Sequence, residues 1–327
     1  MGGDQAPAAV VLGALEAARR RDVGVVLVGP ADRLRDEIAR LTGPAENTAG
    51  AAVTVLDAPD AIPMDAAPLT ALRRTPRASV RVAAEAVARG EAGALFSAGH
   101  TGATFLAAHA AFGVLPGVDR AALAVTVPTR TGAAILLDAG ATVECRPEHL
   151  VQFAVLGDAY ARVALGIERP RVGLLSIGEE AGKGTDLVRE AHARLAKAPL
   201  EFIGNLEARE FFSGRADVIV CDGFTGNIAL KVGEGLVEAA EEMLREELGA
   251  EFVSRIGGLL TRRAFERFKQ RVDYAERGGA PLLGLNGVAV IGHGRSTPQA
   301  IENGIALAAR LAREGLVERL SAVLQRQ

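Results

Sequence analysis

The chain has 327 residues, with 37 Lys and Arg against 40 Asp and Glu for a formal net charge of −3, and only two cysteines, Cys145 and Cys221. That length buries a substantial core, the slightly acidic balance offers no global field to nucleic acid or membrane, and two cysteines cannot build a disulfide framework, which suits a reducing cytoplasm. No basic segment followed by an apolar one opens the sequence, and no run of about 18 apolar residues occurs, so a cytoplasmic, non-spanning protein with local anion-binding patches is expected.

Along the chain, short β-branched runs alternate with Ala/Leu/Glu/Arg stretches of helical period. Strands are predicted at "VGVVLVG" (23–29), "AVTVLDA" (52–58) and "GALFSAG" (93–99), then at "RVGLLSIG" (171–178), "DVIVCDG" (217–223) and "GVAVIGHG" (287–294). Most precede a helix-forming segment, the mark of an α/β protein with three layers, α/β/α, and a mostly parallel sheet. Between the third and fourth strands, "LAVTVPTRTGAAILLDAG" (123–140) holds two apolar runs about Pro128 to Gly132, which predicts an antiparallel hairpin. Residues 250–275 set Phe252, Ile256, Leu259, Leu260, Phe265, Phe268 and Val272 near helical spacing beside Arg262, Arg263, Arg267, Lys269 and Arg271. A protruding amphipathic helical element is expected there, broken at Gly257 and Gly258. With no linker, low-complexity segment or repeat in view, the expectation is a single α/β catalytic domain over 1–327.

Four strand ends share one chemistry. "FSAGHTGATF" supplies Ser97, Gly99, His100, Thr101 and Gly102; "GEEAGKGTDL" supplies Lys183; "DGFTGNIALK" supplies Asp222, Thr225, Gly226 and Asn227; "GHGRSTPQAIENG" supplies His293 and Ser296. Each leads into a helix, whose start presents unsatisfied N–H groups and a positive dipole end to an anion. Alone, any one of them reads equally well as a capped βα turn. Together they suit convergence at the carboxyl ends of parallel strands, where α/β folds bind ligands. None matches the Walker or dinucleotide glycine pattern, so a small phosphate fits better than a nucleotide. Lys183 is either a phosphate-holding point charge or a solvated surface lysine. Asn227 donates to an oxyanion or caps its helix, and Asp222 orients one of these groups or makes an Asx-turn. Cys221 reads as a small buried cysteine rather than a nucleophile. No cofactor or metal site is expected.

With "MGGDQAP" (1–7), "MDAAPLTALRR" (64–74), "SAGHTGA" (97–103), "CRPEHLVQFA" (145–154), "IGEEAGKGTDL" (177–187), "GGAPLLGLNG" (278–287) and "IGHGRS" (291–296), the motifs run the length of the chain. The chain strongly resembles the bacterial phosphate acyltransferase (PlsX) family of phospholipid synthesis. The resemblance implies a fold similar to the isocitrate and isopropylmalate dehydrogenases, a homodimer, and formation of acyl phosphate from acyl-acyl carrier protein and inorganic phosphate. Family members carry a short apolar strand before Met-Gly-Gly-Asp, here residues 1–4. If the sheet lacks that inner strand, Asp4 loses its anchor; otherwise the native chain starts earlier. The family also has His at Gln5 and Asn at His100, so His100 is expected to contribute a hydrogen bond rather than proton transfer.

Catalysis is then expected from Lys183, Asn227 and Asp222. Phosphate is expected to bind Ser97, Gly99, His100, Thr101, Gly102, Thr225, Gly226, His293 and Ser296. Carrier proteins of this type are acidic, which draws attention to Arg73, Arg74, Arg77 and Arg81 and, more strongly, to Arg262, Arg263, Phe265, Arg267, Phe268, Lys269 and Arg271 as docking or dimer surfaces, with peripheral membrane contact as a weaker use. The alternatives are a phosphotransacylase using acyl-coenzyme A and, outside enzymes, a peripheral membrane scaffold.

Overall fold

A computed structural model describes residues 1–42, 52–250, 263, 268 and 278–325. In chain order the elements are α1 (Ala8–Arg21), β1 (Val25–Gly29), α2 (Ala31–Thr42), β2 (Val53–Asp57), α3 (Pro68–Arg74), α4 (Ser79–Ala88), β3 (Ala94–Ser97), α5 (Thr101–Phe112), β4 (Ala122–Leu123), β5 (Val125–Thr129) and β6 (Gly132–Leu137). There follow α6 (Pro147–Leu165), β7 (Arg171–Ser176), α7 (Asp186–Leu195), β8 (Glu201–Glu207), β9 (Val218–Val220), α8 (Gly223–Ala250), β10 (Ala280–Leu283), β11 (Val288–Ile291), α9 (Pro298–Arg313) and α10 (Leu316–Leu324). The fold is α/β with mostly parallel strands, and all six strands expected from sequence are present. The chain forms two compact units.

The first unit comprises Met1–Val125, Ala159–Glu168 and Ala275–Gln327. Its sheets are the parallel pair β1–β2 and the four strands β3-β11-β10-β4, in which β3 and β11 are parallel and β10 is antiparallel to both neighbours. All four residues of β11 are buried. Successive strand side chains point to opposite faces, so such a strand needs cover on both; α5 and α9 both pack on it. Helix α1 lies against α9 at Gly13, where any Cβ would meet the Pro298 carbonyl at 2.6 Å. Val11, Ala14 and Leu15 on α1 recur at helical spacing and form one core cluster with Leu27 and Leu34. Strands β1 and β3 do not pair, and a cavity of about 670 Å³ is lined by both together with Met1, Gly2 and Gly3.

The second unit comprises Thr126–Asp158 and Arg169–Tyr274, with one five-stranded sheet in the order β5-β6-β9-β7-β8. Strands β6, β9, β7 and β8 are mutually parallel. Neighbouring β5 and β6 are joined by Arg130 and Thr131 alone, a connection that only an antiparallel hairpin permits, as the sequence predicts. The central β9 is wholly buried, and Gly157 of α6 sits over it with no room for a side chain, a Cβ falling 2.6 Å from Val218 Cγ1. Arg171 at the start of β7 grips Asp217 with its backbone N–H and guanidinium, each at 2.9 Å, which sets the register of β7 against β9. Of the amphipathic segment expected at 250–275, beyond Ala250 at the end of α8 only Arg263 and Phe268 are described, both helical and exposed. Arg262, Phe265, Arg267, Lys269 and Arg271 lie outside the described residues, as do Gly257 and Gly258. Among the described residues no helix is long and apolar enough to cross a membrane.

Candidate active site

In the first unit, two of the glycine loops leave adjacent parallel strands, β3 and β11, at the same end. His100 is the N-cap of α5: its Nδ1 accepts the Ala103 N–H at 3.3 Å, so Nε2 carries the proton and donates to the Ala66 carbonyl at 2.9 Å. Both ring nitrogens are thereby engaged within the protein. Ser97 accepts the Thr104 hydroxyl at 2.9 Å and the Gly99 N–H at 3.4 Å, closing the turn from strand to helix. The amides of Thr101 and Gly102 stand at the head of the helix, where no intrahelical acceptor exists. The amino-terminal residues thread between these loops. Gly2 lies against the Ile62 carbonyl and Gly3 against the Ala98 carbonyl, where a Cβ would come within 2.7 Å, and the Asp4 N–H bonds the Gly294 carbonyl at 3.0 Å. In the loop after β11, exposed His293 accepts the Arg295 N–H at 3.2 Å, Ser296 is 7% exposed, and Thr297 caps α9.

In the second unit, three loops leave the adjacent parallel strands β6, β9 and β7. After β7, Lys183 is exposed and its stem lies over Gly178, at whose position a Cβ would sit 2.9 Å from Lys183 Cγ. The loop is braced: the Glu180 carbonyl accepts the Lys183 N–H and the Asn205 amide, both at 2.9 Å, while Asn205, itself 2% exposed, is held by His192 at 3.0 Å. Gly184 closes the loop at φ +94°, where an L side chain is strained and would also strike Val188. Asn205 and His192 brace this loop, and neither is among the site residues expected from sequence. Asn205 sits on β8, a strand that the charged, glycine-containing stretch "EFIGNLE" conceals.

After β9, Asp222 accepts the Thr225 N–H at 2.8 Å and the Thr225 hydroxyl at 2.7 Å. Its carboxylate therefore caps α8, and the Thr225 hydroxyl proton is committed to it. Gly226 is buried, and exposed Asn227 follows on the first turn of the 28-residue α8. Beneath that turn lies Asp138, at the end of β6 and fully buried, another residue that the sequence reading leaves unassigned. A strand ending in Asp-Ala-Gly resembles the Asp-Gly after β9, but the hairpin setting hid it. Burial pushes the Cys221 thiol well above its usual range, and the negative charges of Asp222 and Asp138 push it further. A thiolate is unfavourable there, which agrees with a structural cysteine. On the surface, Arg77 pairs with Asp57 and Arg81 with Glu85, whereas Arg73 and Arg74, exposed at the end of α3, have no acidic partner among the described residues.

The family model described as "Fatty acid synthesis protein" matches residues 1–319. Among curated proteins, the phosphate acyltransferase of Citrifermentans bemidjiense is 48% identical over 321 residues, spanning 98% of this chain and 90% of that protein. The phosphate acyltransferase of Acidobacterium capsulatum is 46% identical over 321 residues, spanning 98% of this chain and 94% of that one. Among solved structures, a phosphotransacetylase from Streptococcus pyogenes is similar with a TM-score of 0.58 at 17% identity, covering 95% of this chain and 100% of the other. A 4-hydroxythreonine-4-phosphate dehydrogenase from Klebsiella pneumoniae is similar with a TM-score of 0.52 at 17% identity, covering 93% of each chain. These two likenesses concern the fold.

Proposed function

The chain belongs to the phosphate acyltransferase (PlsX) family and is an acyltransferase acting on phosphate and acyl substrates; from that premise we propose that its acyl donor is an acyl-acyl carrier protein and its product an acyl phosphate. The observation that carries the reading is the pairing of exposed Lys183, on a braced loop, with exposed Asn227, on a capped helix turn, at the same end of adjacent parallel strands.

A phosphate oxygen attacks the thioester carbonyl, the C–S bond breaks, and the departing thiolate takes up the proton that phosphate gives up. A thiol of pKa about 8.5 leaves with little acid assistance, so binding and oxyanion stabilisation dominate over proton transfer. Lys183 holds phosphate by charge. Asn227 donates to the tetrahedral oxyanion, and Asp222 acts by fixing the turn that carries it. In the first unit, the amides of Thr101 and Gly102, with no acceptor among the described residues, offer donors to an anion, and Ser97, Gly99 and His100 shape that turn. Thr225 and Gly226, expected from sequence to bind phosphate, spend their donors on Asp222 and instead shape the turn that carries Asn227, while in the first unit His293 and Ser296 add polar groups to its anion-binding loops. The displacement as written requires no cofactor.

The whole chain acts as one catalytic domain, working as a cytoplasmic homodimer. Arg73 and Arg74, with no acidic partner among the described residues, offer a cationic face to an acidic carrier, and the basic sequence at 262–271 is a second candidate contact for the carrier, for a second copy or for a membrane surface. Incubation with phosphate and either acyl-carrier protein or acyl-coenzyme A, followed by hydroxylamine trapping of acyl phosphate, tests the donor: product from the carrier thioester is expected, and product from coenzyme A alone refutes it. Lys183→Ala and Asn227→Ala are each expected to slow turnover by about a hundredfold; wild-type rates in both refute the site.

A further inference from the structure

We propose that Asp138 is the positioning residue that fixes the aim of Asn227. The inference rests on the oxyanion role given to Asn227 above. Asp138 ends β6 at 0% exposure, and its carboxylate gathers the following loop onto itself. Oδ1 accepts the N–H groups of Gly140 at 3.1 Å and Ala141 at 3.0 Å, and Oδ2 accepts that of Thr142 at 2.6 Å. A carboxylate receiving backbone donors in this way is a strong, directional clamp.

The gathered loop then meets the first turn of α8 at three places. The Thr142 carbonyl accepts the Gly223 N–H at 2.9 Å. Gly223 rests on the carboxylate, with room only for hydrogen, since a Cβ would fall 2.6 Å from Asp138 Oδ2. Gly140, at φ +132°, faces the Asn227 side chain, and a Cβ there would lie 3.5 Å from Asn227 Cβ and 3.6 Å from its Cγ. The strand ends are joined as well, by Asp138 N–H to the Cys221 carbonyl at 3.0 Å and Cys221 N–H to the Leu137 carbonyl at 2.7 Å. Asp222 pins the same turn from its own side through Thr225. One buried carboxylate and one capping carboxylate therefore hold Asn227 between them, and neither needs to touch substrate.

The nearly isosteric Asp138→Asn keeps one acceptor oxygen and replaces the other with a donor, so it cannot satisfy Gly140, Ala141 and Thr142 together. Gly140→Ala leaves the carboxylate intact; its Cβ only reaches van der Waals contact with Asn227, but φ +132° is strained for an L side chain, so the backbone that abuts Asn227 must shift. The test is a pair of double-mutant cycles, Asp138→Asn with Asn227→Ala and Gly140→Ala with Asn227→Ala, each read as kcat, KM for both substrates, and Tm. Misaim of about 1 Å costs on the order of a hundredfold, so kcat is expected to fall about ten- to a hundredfold in each single variant, with KM within about twofold. In the Asn227→Ala background neither change is expected to slow the enzyme further, because the group being aimed is gone.

Unchanged kcat in Asp138→Asn, or the same fractional loss with and without Asn227, overturns the inference: the second result is what a merely structural role produces. If Asp138→Asn does not fold, the Gly140→Ala cycle decides by the same criterion. Wild-type turnover in Asn227→Ala alone refutes the oxyanion role itself; a slow Asn227→Ala with additive Asp138→Asn refutes only the positioning.

Discussion

Helix α8 carries glycines in opposite situations, and comparing two of them tests the packing of the site. At Gly226 an added Cβ would overlap the Asp138 carbonyl oxygen and come within 2.9 Å of Cys221 Sγ, against the 3.0 Å that real Cβ atoms essentially never breach. Both neighbours are buried parts of strand ends, so neither yields easily. Gly226→Ala must push the first turn of α8 away by roughly 1 Å, and if Asn227 has the oxyanion role proposed above, that displacement is worth on the order of a hundredfold in kcat. Overpacking costs about 1–3 kcal/mol, offset by nearly 1 kcal/mol of helix propensity. At exposed Gly235 nothing lies within 4 Å. There the propensity gain acts alone, so Gly235→Ala is expected to stabilise by about 0.5–1 kcal/mol with kcat unchanged. The assay is hydroxylamine-trapped acyl phosphate under saturating donor and phosphate, alongside Tm by calorimetry. Wild-type kcat in Gly226→Ala would refute the close seating of α8 on the end of β6.

Cys221→Ala is expected to retain turnover, because the thiol is buried and its ionisation opposed; loss of activity in a folded variant would revive a covalent route. Asp217 is raised by burial, yet the Arg171 guanidinium and N–H together bring it below its ordinary value of 3.8. A depressed carboxylate stabilises the fold above its unfolded pKa and loses that contribution as pH falls through the folded value. Asp217→Asn should therefore lower Tm at pH 6, with the gap to wild type closing below about pH 4; a constant gap would contradict the assignment. Arg73→Glu combined with Arg74→Glu is expected to raise KM for the carrier-linked donor about tenfold or more while leaving a small acyl-thioester donor unaffected; equal effects on both donors exclude docking at α3.

Much of the fold is legible because periodicity reports burial directly. Runs such as Val218–Val220 and Val288–Ile291 are apolar throughout because every residue of these strands is buried, and the turn at Arg130 and Thr131 announces its hairpin by length. Strands β8 and β10 are less visible. Glu201, Gly204, Asn205 and Glu207 dilute the first, and Pro281 with only four residues obscures the second, because strand character there comes from neighbours rather than from propensity.

At the site, residue types placed near glycine at strand ends announce anion chemistry before any coordinates, and they single out Lys183 and Asn227. What each polar group does with its lone pairs and protons is decided across the sheet. Asp222 spends its carboxylate on Thr225, and His100 spends both ring nitrogens on Ala103 and Ala66. Asp138 lies far from Gly223 and Asn227 in sequence and meets them only because β6 pairs in parallel with β9. Sequence alone determined the chemical alphabet, since side-chain type is local. Partnership depends on strand order, which is set by long-range pairing, and only the tertiary structure decided it.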